Sequence, residues 1–167
     1  MIRRFGPLAL AVVCALALAS CGGGNGSSLF PDSVSGAGRQ GQINFVKYWI
    51  DTFNHAMVTG DTAKLKKLSA KSCAACKGFA HSVDAIYNSG GHVNTKGGTV
   101  THAIPVAGTP KDEPKIRMDV KFAKQVVYKS KNAKPKVYPT ASRQMQMVLT
   151  RKDQHWLLLR IDIGPPG

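Results

Sequence analysis

The chain has 167 residues, with 23 Lys plus Arg against 9 Asp plus Glu, a formal net charge of +14. That is one domain's worth of chain, able to bury roughly two-thirds of its unfolded surface, so neither a metal nor a disulfide framework is needed to hold it. In a cytoplasmic protein such a charge would point first to nucleic acid, and the first twenty residues argue against that compartment.

Arg3 and Arg4 precede an apolar run from Phe5 to Ala19, broken by Gly6 and Pro7. A positive start followed by a short apolar segment is the layout of a secretory signal. The run is shorter than the ~20 residues that a membrane-crossing helix needs. Leu18-Ala19-Ser20-Cys21 closes it. Small residues beside Cys21 resemble the lipobox of bacterial lipoproteins. The resemblance implies cleavage before Cys21, a diacylglycerol on its sulfur and a third acyl chain on the new amine. The plain alternative is an ordinary signal peptide with Cys21 as a passive residue. Two or three chains give stable attachment where one holds weakly, so the expectation is an extracytoplasmic protein anchored by lipid to the cell membrane.

Processing leaves 21 Lys plus Arg against 9 acids. Export makes nucleic acid a poor partner. Anionic lipid, an acidic cell-wall polymer or an envelope protein fits a tethered basic domain better, beside the plain reading of a basic surface with no dedicated partner. The segment Lys111 to Lys136 carries nine Lys or Arg against three acids and is the expected source of a basic face.

Residues 1–20 are thus read as signal and 21–41 as the lipidated Cys with a tether. The tether is rich in Gly and Ser, with Leu29 and Phe30 its only large apolar side chains before Val34, too few to offset ordering entropy. A single domain over 42–167 follows. Ile43, Val46, Trp49, Ile50, Phe53 and Met57 recur at helical spacing up to Gly60. A short helix follows Asp61, with Leu65 and Leu68 inward. Ser72 is read as the cap of a third helix, from Cys73 to about Asn88, with Cys76, Phe79, Val83, Ile86 and Tyr87 as its stripe.

Beyond Gly91 the period changes to two. A strand is expected near Thr99 to Ile104, and another over Lys115 to Tyr128 with a bulge at Ala123 to Gln125. Lys129 to Thr140 reads as loop. Gln144 to Thr150 and Trp156 to Ile163 flank a polar connection of hairpin length. Helices followed by antiparallel strands predict an α+β fold with the helices on one sheet face. The element order, and the closing hairpin Leu149 to Asp162 with its Trp156, resemble the nuclear transport factor 2-like fold, a curved sheet around a long first helix. Lys47-Tyr48-Trp49-Ile50, Thr59-Gly60-Asp61, Leu68-Ser69 and Cys73-Ala74-Ala75-Cys76 resemble an actinobacterial lipoprotein family of unknown function. That family brings no activity to carry over.

With Cys14 removed and Cys21 lipidated, Cys73 and Cys76 remain, and an oxidising compartment favours pairing them. A thioredoxin-like role would need a βαβ context that the chain lacks. Haem attachment would need His where Lys77 stands, and zinc would need two further ligands. The expectation is a structural disulfide at the turn between the second and third helices, with no metal and no cofactor. Cone-shaped enzymes of the resembled fold set a carboxylate inside the cone, where desolvation tunes it. Here only Asp84 borders an apolar stripe, and no hydrolase elbow, phosphate loop or His-Glu-x-x-His is present. The expectation is a non-enzymatic binding domain. Tyr48, Trp49, Phe53, Tyr87, Met118 and Phe122 are the candidate lining of a pocket; Asp84 stays as the acid of a catalytic alternative, and Trp156 as a candidate surface anchor.

Overall fold

The computed structural model describes residues 29–166, so the expected signal segment and Cys21 lie outside the described residues. Four helices lead: α1 (Asp32–Ser35), α2 (Arg39–Thr59), α3 (Ala63–Lys67) and α4 (Ala74–Asn88). Seven strands follow: β1 (His92–Thr95), β2 (Gly98–Pro105), β3 (Lys115–Phe122), β4 (Gln125–Tyr128), β5 (Lys136–Tyr138), β6 (Ala141–Lys152) and β7 (His155–Pro166). They form a four-stranded antiparallel sheet in the order β2-β3-β6-β7 and a three-stranded one in the order β1-β4-β5. The α+β class expected from the sequence holds.

The 21-residue α2 buries Phe45, Val46, Trp49, Ile50, Ala56 and Met57 along one stripe, the 3.6 period that marks a core-facing helix. Gly60 ends it in the left-handed conformation at φ 79°, its N–H donating to the Ala56 carbonyl, the terminus that glycine enters at least cost. Met118, Val120, Met147, Leu149, Trp156 and Leu158 meet this stripe from the sheet, all almost fully buried.

The two sheets are linked by short chain connections, among them β1 to β2 and β3 to β4. The break expected as a bulge at Ala123 to Gln125 is a corner: β3 ends at Phe122 in one sheet and β4 starts at Gln125 in the other. β1 and β2 break at the same level, where Ala123 N–H donates to the Gly97 carbonyl. Asn54 of α2 clamps this corner. Its amide donates to the Gly98 carbonyl at 2.8 Å and accepts from the Gly98 N–H at 2.7 Å. Gly97, at φ 80°, has room for no side chain, since a Cβ would sit 2.5 Å from the Asn54 amide carbon.

Three further expectations are corrected. Residues 29–41 are not a free tether. Val34 is buried in α1, Leu29 and Phe30 pack on the core, and α2 starts at Arg39. Cys73, not Ser72, caps α4, its sulfur accepting from the Cys76 N–H at 3.2 Å. Within the expected loop Lys129 to Thr140, Lys136 to Tyr138 form the edge strand β5, paired to β4. The closing hairpin turns on Asp153 and Gln154 alone, with φ of 48° and 66°, the twist of a type I′ turn.

Candidate functional site

At the corner between the sheets Phe53 of α2 stays half-buried, while Ala56 and Met57 beside it are buried. A cleft of about 310 Å³ opens there, walled by Trp49 and Phe53 of α2, Phe79 of α4, Phe122 at the end of β3 and Met145 of β6. Each wall residue has a local reason to point inward. Trp49 and Phe53 are one turn apart on the buried stripe, with ring centroids 5.8 Å apart, and Phe79 tilts against Phe53 at 5.3 Å. Phe122 is the last residue of β3 before the corner, and its strand partners are Gly98 and Ala141, too small to cover its ring. Arg143 and Met145 share the inward face of β6 by the two-residue period of a strand.

Gln125, Tyr138 and Arg143 bring polar groups to the lining of the cleft. Arg143 donates one bond, to the Ser142 carbonyl at 3.1 Å, which leaves most of its five donors for a ligand. A neighbouring cleft of about 700 Å³ shares Phe53, Met57, Phe79, Gln125 and Tyr138 and runs on toward Val93 and Val127. The two form a continuous apolar furrow under the small sheet, with Tyr138 at their junction and 40 % exposed.

Of the six expected pocket residues the structure gathers three, Trp49, Phe53 and Phe122. Met118 is core, fully closed off. The Tyr48 hydroxyl donates to the Leu29 carbonyl at 3.1 Å, and its ring lies under Lys64 at 4.8 Å; it holds the N-terminal segment. The Tyr87 hydroxyl lies within hydrogen-bonding reach of the Met57 and Val58 carbonyls, at 2.8 and 2.6 Å, where α2 ends. It supplies the partners that the last turn of a helix lacks. Sequence reasoning missed Arg143, Gln125 and Tyr138. The first was legible as an inward partner of Met145; the other two depend on the corner and the extra strand.

Asp84 is placed away from the furrow. Its carboxylate accepts from Thr62 Oγ at 2.6 Å and pairs with Lys66 Nζ at 2.7 Å. The hydrogen bonds from Lys66 and Thr62 outweigh burial and hold its carboxyl below the usual aspartate range. It ties α3 to α4 as a charged acceptor. Trp156 is no surface anchor: it is 1 % exposed and its indole N–H donates to the Gly36 carbonyl at 2.8 Å.

The sulfurs of Cys73 and Cys76 lie at disulfide distance with Cα atoms 5.3 Å apart, and both residues are buried. In the loop-entropy account so short a bridge stabilises by about 2 kcal/mol. Among the described residues no group of three or more His, Cys, Asp or Glu is placed to hold a metal ion.

None of the curated proteins matches the chain. Among solved structures, the intermembrane space region of the chloroplast protein ARC6 superposes with a TM-score of 0.57 at 8 % identity, over 75 % of this chain and 95 % of that one. A protein of unknown function with a cystatin-like fold from Nostoc punctiforme gives 0.42 at 13 % identity, over 74 % and 92 %. An NTF2-like protein from Anabaena variabilis gives 0.41 at 6 % identity, over 82 % and 95 %. At these identities the likeness concerns fold alone. The model described as "Family of unknown function (DUF6318)" matches residues 29–162, most of the chain, and the chain therefore belongs to that family.

Proposed function

We propose that this is an exported lipoprotein, held outside the cytoplasmic membrane by lipid on Cys21, whose domain binds an apolar ligand with an acidic end and performs no chemistry on it. The observation that carries the binding role is the aromatic-walled cleft of the furrow, which has Arg143 on its lining, with Lys129 on the adjoining stretch. Its volume is at the lower end of small-molecule sites, and an apolar wall with a few convergent polar groups is their usual make-up. A bound acyl or polycyclic body would lie against Phe53, Phe79 and Phe122, and its carboxylate would meet the guanidinium in a charge-assisted bond. The wall offers no carboxylate or imidazole to move a proton, which is why binding rather than catalysis is proposed. The export reading rests on Arg3, Arg4, the apolar run and Leu18-Ala19-Ser20-Cys21. Among the described residues no helix is long and apolar enough to cross a membrane.

The test is titration with a fluorescent fatty acid and with its methyl ester. The acid should bind more tightly than the ester, and Arg143→Gln should remove that difference while leaving ester binding in place. Ala141→Trp, which fills the cleft, should abolish both. Equal binding of the acid by the wild type and by Ala141→Trp would overturn the assignment.

A further inference from the structure

The N-terminal segment and the end of the closing hairpin meet at a separate cleft of about 830 Å³ whose character is the opposite of the furrow's. Its cations come from two elements far apart in sequence. Lys66, Lys67 and Lys71 flank the turn from α3 into α4, and Arg151 and Lys152 lead into the hairpin turn. Backbone pairing brings them together. Leu158 N–H donates to the Leu68 carbonyl at 3.0 Å, and Ala70 N–H donates to the Leu158 carbonyl at 2.8 Å. Residues 68–70 thereby cover the free edge of β7 and set the α3 lysines beside the hairpin. The only acid on the lining is Asp153. All five cationic residues are exposed; Lys66 is paired with Asp84 and Arg151 reaches the Gln154 carbonyl and the Trp156 ring, which leaves Lys67, Lys71 and Lys152 as the outward charges. Leu157 and Leu159, half-buried, form its apolar floor.

The N-terminal segment enters the fold on this same face. Phe30 lines the cleft, and its ring stacks on His155 at 4.1 Å. Eight residue steps separate Cys21 from Leu29, a reach of at most about 29 Å. A domain of this size is roughly 35 Å across, so an anchor at Cys21 holds the root of the segment nearer to the membrane than one domain width.

We infer that this basic cleft docks the domain onto the anionic lipid headgroups of the membrane that anchors it, so that the apolar furrow is held in a fixed orientation to the bilayer. The inference rests on the lipid-anchor reading and adds the face and the partner. Lysines around an apolar floor suit a headgroup layer, which offers phosphate charge above accessible acyl carbon. The Lys111 to Lys136 segment, by contrast, is divided between β3 in one sheet and β4 and β5 in the other, and none of its residues line this cleft.

Every contact described above lies within residues 29–166, so the chain from position 21 onward, carrying Cys21→Ser to prevent acylation, is the sample. It is mixed with vesicles of phosphatidylcholine alone and with phosphatidylglycerol added. Binding should require phosphatidylglycerol and weaken with salt. Lys67→Glu, Lys71→Glu and Lys152→Glu together should lower the partition coefficient by at least about 100-fold. Lys111→Glu, Lys121→Glu and Lys134→Glu, an equal change of net charge, should lower it far less. Equal losses in the two triple variants, binding indifferent to phosphatidylglycerol, or retention on an anionic wall polymer without retention on vesicles would each overturn the docking face. Mass measurement of the native protein separates the two ideas. An unmodified Cys21 with intact vesicle binding removes the anchor alone, and an acylated Cys21 without vesicle binding removes the face alone.

Discussion

The two halves of α2 are built from the same kinds of residue and meet different surroundings. Phe45 and Val46 in the first half are sealed, at 0 % exposure, by α1, α3 and the four-stranded sheet, while Trp49 and Ile50 at the middle, 1 % exposed, form the inner wall of the furrow. Phe53 and Met57, one and two turns further on, look into the furrow where the sheet turns its corner. Helical period selects an inward face; it does not determine whether anything arrives to cover it. That depends on where strands end, and Gly97 and the Ala123-Lys124 break end them opposite Phe53.

Truncating one large side chain on each side measures the contrast. Trp156→Ala opens a hole in the sealed half and also removes the indole donor to Gly36, so it should cost about 3–5 kcal/mol in urea unfolding. Phe53→Ala, on the wall of an opening already present, leaves less new void and should cost less than half as much. It should weaken the fluorescent ester instead. Equal destabilisation by the two would mean that the furrow closes in solution and that the halves do not differ.

How much of this was legible follows the same division. The three longest helices and the main hairpin were readable because each carries several apolar residues at one period, and Leu65, Leu68, Val83 and Leu149 are buried where that period puts them. Trp156 was misassigned through register. Leu157 and Leu159 look like an inward pair, but a shift in pairing between Val148 and Leu149 leaves Trp156 and Leu158 on the core side. For the site, aromatic type placed three of the six expected residues on the wall. Tyr48 and Tyr87 were drawn in by the same rule, though their hydroxyls are committed to backbone carbonyls. The corner itself has no periodic signal, since it is a pairing event between distant strands.

Glycine misled most, at the front of the domain. Read by composition, residues 22–41 are a flexible linker. Yet a Cβ on Gly41 would sit 1.9 Å from the Gly36 carbonyl oxygen, so these glycines let one backbone lie directly on another. Gly41→Ala should therefore cost about 1–3 kcal/mol, the range for forced backbone displacement. It should also raise protease cleavage between Leu29 and Gly38 while leaving binding of the ester probe unchanged, because the seal and the furrow occupy opposite halves of α2. Loss of probe binding in step with the cleavage would show the two halves to be one cooperative surface.

The smallest effect is expected where the sealed half is held by charge. Asp84 links α4 to Thr62 and Lys66 across the α3 side, but the side chains of Lys66 and Asp84 are 53 % and 30 % exposed, so screening keeps the pair below about 1 kcal/mol. Its sign with pH is fixed. The folded carboxyl titrates below the unfolded value, so the ionised form favours folding at pH above about 3.9. That contribution fades as pH falls through the lower folded value. The stability gap between wild type and Asp84→Asn should therefore be small and flat from neutral pH to about 5 and should shrink toward zero on further acidification. A gap as large as that of Trp156→Ala at neutral pH would mean that the polar tie, not apolar burial, closes the first half of α2. Since Lys66 also lines the basic cleft, the same variant reads a second quantity: freeing that ammonium should raise affinity for phosphatidylglycerol vesicles about twofold to fivefold, the reverse of its effect on stability.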